Sequence, residues 1–123
     1  MKKFLISFSL VLLAAPALAG GDAQKGGTVF EDNCSDCHTV VQGAPSRKGP
    51  NLFGVVGRKT AALADFDYSD ANRAAGWTWT PEKLDQYLTN PKATIPGTIM
   101  KFKGTLSADE RANVIAFLQT LSK

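Results

Sequence analysis

The segment NCSDCHTVV, residues 33–41, contains both cysteines of the chain, Cys34 and Cys37, and its only histidine, His38. Two thiols and an imidazole this close together can bind zinc, cycle between dithiol and disulfide, or hold a haem. The sequence around the segment distinguishes between these three chemistries, and it also predicts the fold.

The first nineteen residues, MKKFLISFSLVLLAAPALA, have the order of a secretory signal peptide, because two lysines precede an apolar run that ends in small residues. A membrane-spanning helix needs about 20 apolar residues, and Pro16 interrupts this run too early. We therefore predict cleavage after Ala19, which leaves residues 20–123 as one domain that works outside the cytoplasm. Retention of the segment as a membrane anchor is the alternative.

The charge of the working domain is close to neutral. The full chain has 14 basic and 11 acidic residues, a net charge of +3. Loss of Lys2 and Lys3 with the signal leaves 12 basic residues against 11 acidic ones. Nucleic-acid binding is not expected, since it requires a clustered basic surface. A charged docking face can arise only from an uneven distribution of these residues.

The sequence around CSDCH disfavours three interpretations of it: a zinc site, a redox motif and a structural disulfide. Structural zinc takes four ligands, usually from two Cys or His pairs, and this chain has one pair. A redox C-x-x-C motif belongs after a strand in a βαβ pattern, whereas the residues before Cys34 have a helical pattern. A disulfide between positions i and i+3 closes too short a loop to stabilise much, and it gives His38 no role.

C-x-x-C-H is the attachment signature of a c-type haem. Cys34 and Cys37 can form thioethers with one edge of a porphyrin, and His38 can then donate a ring nitrogen to the iron. The sequence therefore predicts one haem c per chain, attached through the two cysteines.

Met100 is the predicted second axial ligand. It is the only methionine outside the predicted signal, and His/Met ligation is the pattern of electron-transfer haems. The alternative is that Met100 fills the core, as most methionines do. It lies in NPKATIPGTIMKFKG, residues 90–104, where we find no helical or strand period. Pro96-Gly97 fits the centre of a type II turn, so we expect a stiffened loop here.

Capping signals and apolar periodicity predict helices separated by long loops. A helix over residues 22–33 and one after the capping box of Ser107 and Glu110 lie at opposite chain ends, and we expect them to pack together. A middle helix is predicted after Thr80, and a short one over residues 70–75. Loops this long suit a domain whose missing core is supplied by the haem.

The sequence resembles the class I c-type cytochromes, and specifically the bacterial relatives of mitochondrial cytochrome c. The similarity runs from GDAQKG to RANVIAFLQTL and is carried by CSDCHTV, KGPNLFGVVGRKTA, FDYSDAN, WTPEKLDQYL and NPKATIPGTIMKF. The resemblance implies an all-α cytochrome c fold, with the terminal helices packed against each other around a covalently bound haem. The export signal then implies a bacterial protein of the periplasm.

The resemblance also implies roles around the two axial ligands. Pro50 would accept a hydrogen bond from the His38 ring. Tyr87 would direct its hydroxyl towards the Met100 sulfur, with Asn72 and Thr98 nearby.

Donors to the two haem propionates are implied in the same way. They would be Arg58, Tyr68 and Trp79. Trp77, two positions before Trp79, has no role that the resemblance supplies.

The implied function is that of a monomeric carrier of single electrons, which is not an enzyme. Its donor would be a cytochrome bc-type membrane complex, and its acceptor a terminal oxidase, a reductase or a photosynthetic reaction centre. Lysines near the haem edge would steer it to acidic partners; they are Lys48, Lys92, Lys101 and Lys103. The alternatives are a haem peroxidase or gas-binding sensor with a labile sixth ligand, and a relay subunit anchored by an uncleaved signal.

Overall fold

The computed structural model describes residues 20–122, and within that range it contains five helices. They are α1 (Ala23–Asn33), α2 (Asp70–Ala75), α3 (Pro81–Thr89), α4 (Pro91–Thr94) and α5 (Ala108–Gln119). The described range has no strand, only an isolated antiparallel bridge between Lys59 and Thr78. The predicted signal, residues 1–19, lies outside the described residues, so its cleavage stays a prediction.

Helices α1 and α5 pack against each other, which confirms the all-α prediction and the predicted contact between the chain ends. A Cβ atom on Gly26 would overlap the Asn113 carbonyl, so only glycine permits this close approach. The rings of Phe30 and Phe117 lie 5.7 Å apart between centroids. The Asp22 amide also donates to the Asn113 side chain at 2.8 Å. These contacts fix α1 against α5 along its length, and Cys34 follows directly at the end of α1.

The helix starts follow the predicted caps. The Asp22 side chain accepts from the Lys25 amide at 2.9 Å, and the Thr80 hydroxyl accepts from the Lys83 amide at 3.2 Å. At α5 both bonds of the capping box are present. Each pairing satisfies a backbone donor that the first turn of a helix leaves unpaired.

Helix α4 corrects the sequence prediction, which found no helical period in residues 90–104. Pro91 occupies its first position, and the Asn90 side chain caps it by accepting from the Ala93 amide at 3.1 Å. A helix of four residues is too short to show a period, which explains the miss. The turn that follows agrees with the prediction, since Gly97 has φ of 96° and the Thr98 amide donates to the Ile95 carbonyl at 2.9 Å.

The core is one cluster in which α3 and α5 contribute most. Leu84, Tyr87 and Leu88 are buried on α3, as predicted, and Val114 and Leu118 are buried on α5. The long segment between α1 and α2 folds over this cluster without a helix of its own. Among residues 20–122, no helix combines the length and the apolar character that crossing a bilayer requires.

Candidate haem-binding site

A cavity of about 690 Å³ opens between α1, α3, α5 and the long loops. Its volume lies in the range of cofactor pockets, and most of its lining is apolar. Every residue that the sequence analysis assigned to the site lines it. These residues are Cys34, Cys37, His38, Pro50, Arg58, Tyr68, Asn72, Trp79, Tyr87, Thr98 and Met100.

The attachment segment is a turn that continues directly from α1. Cys34 ends that helix, and its carbonyl accepts from the amides of Cys37 at 3.2 Å and His38 at 3.0 Å. Both cysteines are free thiols. Burial, with a smaller contribution from Cys37, raises the pKa of Cys34 to about 11. Redox-active cysteines have a lowered pKa, so this site opposes the thiol–disulfide reading.

The His38 ring is oriented from behind by the Pro50 carbonyl, which lies 2.7 Å from Nδ1. A carbonyl can only accept, so Nδ1 carries the proton and Nε2 keeps a lone pair for a metal. Burial lowers the pKa of His38; the Pro50 bond partly opposes that shift, and Arg58 adds a small lowering effect. A Cβ on Gly49 would overlap the ring, so glycine lets the backbone wrap closely around it.

Met100 lies on the same cavity in the loop after α4. Its amide donates to the Thr98 hydroxyl at 3.3 Å, and the hydroxyls of Thr98 and Tyr87 are 2.6 Å apart. The Tyr87 hydroxyl therefore pairs with Thr98 in this structure, where the resemblance implied the Met100 sulfur. Burial raises the pKa of Tyr87, so this hydroxyl stays protonated at neutral pH.

The three predicted propionate donors also line the cavity. Arg58 donates to the backbone carbonyls of Asn51 at 2.9 Å and Phe53 at 3.3 Å. The Tyr68 hydroxyl accepts from the Leu63 amide at 3.3 Å, which leaves its own proton to donate. Trp79 is buried, and its ring centroid lies 5.2 Å from that of Tyr87.

The donor set fits a covalently attached haem. Two free thiols, an imidazole with an available Nε2 and a thioether line one apolar cavity. The Asn72 Oδ1 is buried and has no partner within the described range. Since buried polar atoms are normally paired, a bound polar group would satisfy it. Within residues 20–122, no three His, Cys, Asp or Glu side chains are grouped so as to hold a metal ion.

Sequence reasoning missed much of the apolar lining. Leu52, Val55 and Phe102 line the cavity from loops, where apolar residues follow no period. A role for Trp77 was also missed. Its ring meets Trp79 edge-on at 5.9 Å, and the Lys83 ammonium lies 4.6 Å from its centroid, as in a cation–π contact. Trp77 therefore packs against Trp79 on one edge and contacts Lys83 with its ring face.

The chain is similar to known proteins over nearly all the described residues. A family model described as Cytochrome c matches residues 23–122. "Cytochrome c 2.1" of Caenorhabditis briggsae is 46% identical over 102 residues, covering 83% of this chain and 90% of the relative. "Cytochrome c" of Stellaria longipes is 45% identical over 103 residues, covering 84% and 95%. "Cytochrome c" of Gibberella zeae is 42% identical over 106 residues, covering 86% and all of the relative. These three relatives are eukaryotic.

Proposed function

The chain belongs to the cytochrome c family, which binds haem c covalently, and on that premise we propose that it carries single electrons between redox proteins. Cys34 and Cys37 would hold the haem, and His38 and Met100 would bind its iron. When bound, the haem supplies an iron that accepts and releases one electron.

One observation carries this proposal: the only histidine and the only methionine of residues 20–122 line the same apolar cavity. A thioether favours the reduced iron, and His/Met ligation raises the reduction potential. If His38 and Met100 both bind the iron, no position would be left for a substrate, peroxide or a gas. The proposed protein is therefore a carrier and not an enzyme.

The surrounding residues keep both ligands in place while the charge on the iron changes. The Pro50 carbonyl accepts from His38 Nδ1 at 2.7 Å and so orients the ring. Thr98 and Tyr87 hold the backbone that carries Met100. Apolar side chains around them, such as Val55 at 3% exposed, exclude water. Because little has to move, the reorganisation that accompanies electron transfer is small.

The mouth of the cavity supports docking to an acidic redox partner. Lys48 and Lys101 are exposed and line the cavity, as does Ile99, an apolar side chain that is 58% exposed. Such a patch favours association by charge steering. The proposed partners are a cytochrome bc-type donor and, as acceptor, a terminal oxidase, a reductase or a photosynthetic reaction centre. The protein would meet each of them as a monomer.

The rate of association with an acidic partner is expected to fall as the salt concentration rises. The fall is expected to be less steep in Lys101→Gln, which removes a cavity lysine, than in the control Lys25→Gln, which removes a lysine on α1. A flat salt dependence would contradict this part.

The proposed location is the periplasm, and the signal-like residues 1–19 support it. Mass spectrometry of the protein expressed in a bacterium with its leader intact is expected to find Gly20 as the first residue. A chain that starts at Met1 in the membrane fraction would favour the anchored relay instead.

Carbon monoxide binding tests the closed site. The purified holoprotein is expected to give a low-spin spectrum in both oxidation states, and its reduced form is expected to resist the gas. Met100→Ala opens a position and is expected to bind carbon monoxide readily, while Ile99→Ala, which alters the exposed neighbour, behaves as the wild type. Ready binding by the wild type would contradict the proposal and favour a peroxidase or gas sensor.

A further inference from the structure

A continuous chain of hydrogen bonds joins an exposed carboxylate to the back of His38. The Ser46 hydroxyl donates to Asp65 Oδ1 at 2.8 Å. The Asn51 amide donates to the same Ser46 Oγ at 3.0 Å, and the His38 Nδ1 donates to the Pro50 carbonyl at 2.7 Å. Asp65, at the outer end of this hydrogen-bond chain, is nineteen positions from Ser46 in sequence. The inner end is His38, the proposed iron ligand.

The middle of this chain is one peptide unit. The Pro50 carbonyl and the Asn51 amide belong to the same amide group, so resonance couples them. When the N–H donates to a stronger acceptor, electron density moves towards the carbonyl oxygen, which then accepts more strongly. Hydrogen bonds in series polarise one another in this way by about 10–30% per bond.

Asn51, which supplies the amide of this peptide unit, is held by bonds on both its side chain and its carbonyl. Asn51 is only 8% exposed, and its side chain donates to the carbonyls of Val41 and Ala44 at 2.9 Å each. Arg58 donates to the Asn51 carbonyl at 2.9 Å. These bonds restrain Asn51 at the centre of the relay.

The outer end of the chain is a two-point clasp. Besides the hydroxyl bond, the Ser46 amide donates to Asp65 Oδ2 at 2.8 Å, so both carboxylate oxygens are engaged. These bonds lower the pKa of Asp65, and Arg58 adds a smaller lowering effect. The carboxylate is therefore ionised at neutral pH and acts as the negative end of the chain.

We propose that Asp65 is a positioning residue that acts through Ser46 and the Pro50–Asn51 peptide to increase the electron density on His38. A more electron-rich imidazole stabilises the oxidised iron over the reduced one. Asp65 thereby lowers the reduction potential of the bound haem. This inference rests on the proposed function, since it requires His38 to be an iron ligand.

Two variants separate this relay from a plain effect of charge through space. Asp65→Asn keeps an oxygen that can accept from Ser46 but removes the charge. Ser46→Ala keeps the Asp65 charge and cuts the hydrogen-bond chain. Asp67→Asn is the matched control, because Asp67 is on the same loop but bonds Arg73 at 2.9 Å, outside the relay. Ser46→Thr retains the hydroxyl and serves as the rescue.

The test is the midpoint potential of the five holoproteins, with the His38 Nδ1 proton followed by NMR in the reduced state. Asp65→Asn and Ser46→Ala are each expected to raise the potential, changing the oxidised-to-reduced ratio at fixed potential about threefold, or about 28 mV at 59 mV per tenfold. The Nδ1 proton is expected to move upfield in both. Asp67→Asn and Ser46→Thr are expected to stay close to the wild type.

The relay is overturned if Ser46→Ala leaves the potential and the Nδ1 proton unchanged, or if Asp67→Asn raises the potential as much as Asp65→Asn. In either case a wild type with a low-spin spectrum that resists carbon monoxide would leave the proposed function standing. Ready binding of the gas by the wild type would overturn both proposals.

Discussion

The two sides of the cavity are held in different ways. His38 follows α1 within a backbone-bonded turn, and α1 is locked onto α5 through Gly26. Met100 lies in a loop, where the main restraints in its neighbourhood are the turn at Gly97 and the two bonds of the Thr98 hydroxyl. The comparison indicates that the histidine side depends on helix packing and the methionine side on a few side-chain bonds. We expect the methionine side to open first.

The largest expected effect is at the packing beneath the histidine side. Gly26→Ala places a Cβ against the Asn113 carbonyl and 2.8 Å from the Phe117 Cβ. Overpacking of this kind typically costs 1–3 kcal/mol and at times more, and here we expect a loss of about 3 kcal/mol in the free energy of unfolding by urea. Gly27→Ala is the control, because its Cβ would be 3.6 Å from the nearest ring atom.

Gly27→Ala is expected to stabilise the protein by about 0.5–1 kcal/mol, since alanine is the better helix former. If both variants lose the same stability, close packing at Gly26 does not hold the histidine side.

A smaller effect is expected on the methionine side. Thr98→Val removes the partner of Tyr87 and the acceptor of the Met100 amide. We expect the substitution to destabilise the closed Met100 loop by about 1–2 kcal/mol relative to an open form in which the sulfur has moved away. The open form then becomes about 5–30 times more populated. An added ligand such as imidazole binds the iron only in the open form, so its apparent affinity is expected to rise by the same factor. Spectroscopic titration of the oxidised holoprotein measures this affinity.

Thr98→Ser retains the hydroxyl and is expected to bind imidazole as the wild type does. Equal imidazole affinity in Thr98→Val and the wild type would show that the methionine side is held by something other than these bonds.

The smallest effect concerns the Ser46–Asp65 clasp, which joins the loops on the histidine side. Its bonds lower the pKa of Asp65 relative to the unfolded chain. The ionised carboxylate of Asp65 therefore stabilises the fold fully at pH values above its pKa in the unfolded chain, about 3.9. This stabilisation is lost as the pH falls through the lower pKa that Asp65 has in the folded protein. Wild type is expected to be more stable to urea than Asp65→Asn at about pH 7, with the difference vanishing near pH 2.

Asp32→Asn, on the exposed surface of α1, controls for the general loss of a carboxylate. A difference between wild type and Asp65→Asn that is the same at both pH values would contradict the assignment to Asp65 ionisation.

The sequence was most informative where one residue type has one structural consequence. The caps at Asp22, Thr80 and Ser107 predicted helix starts that the structure has. The C-x-x-C-H motif and Met100 predicted side chains that line one cavity. These signals are local or chemically distinctive, so they can be read without knowing the fold.

Other features depend on contacts that no local pattern contains. Helix α4 is one turn long and shows no period. The pairing of Ser46 with Asp65 joins two loops through side chains that are common on any surface. Leu52 and Phe102 line the cavity from irregular backbone. The apolar lining and the loop-to-loop bonds could therefore be identified only from the structure.

The most direct test of the central claim, that Met100 closes the iron from the less rigid side, is NMR of the reduced holoprotein with ¹³C-labelled methionine methyl groups. Residues 20–123 contain one methionine, so a chain cleaved after Ala19 gives one methyl signal. A sulfur bound to the iron holds this methyl over the porphyrin face, where the ring current acts on it. We predict a signal shifted far upfield of free methionine. A signal at the ordinary methionine position would contradict the account.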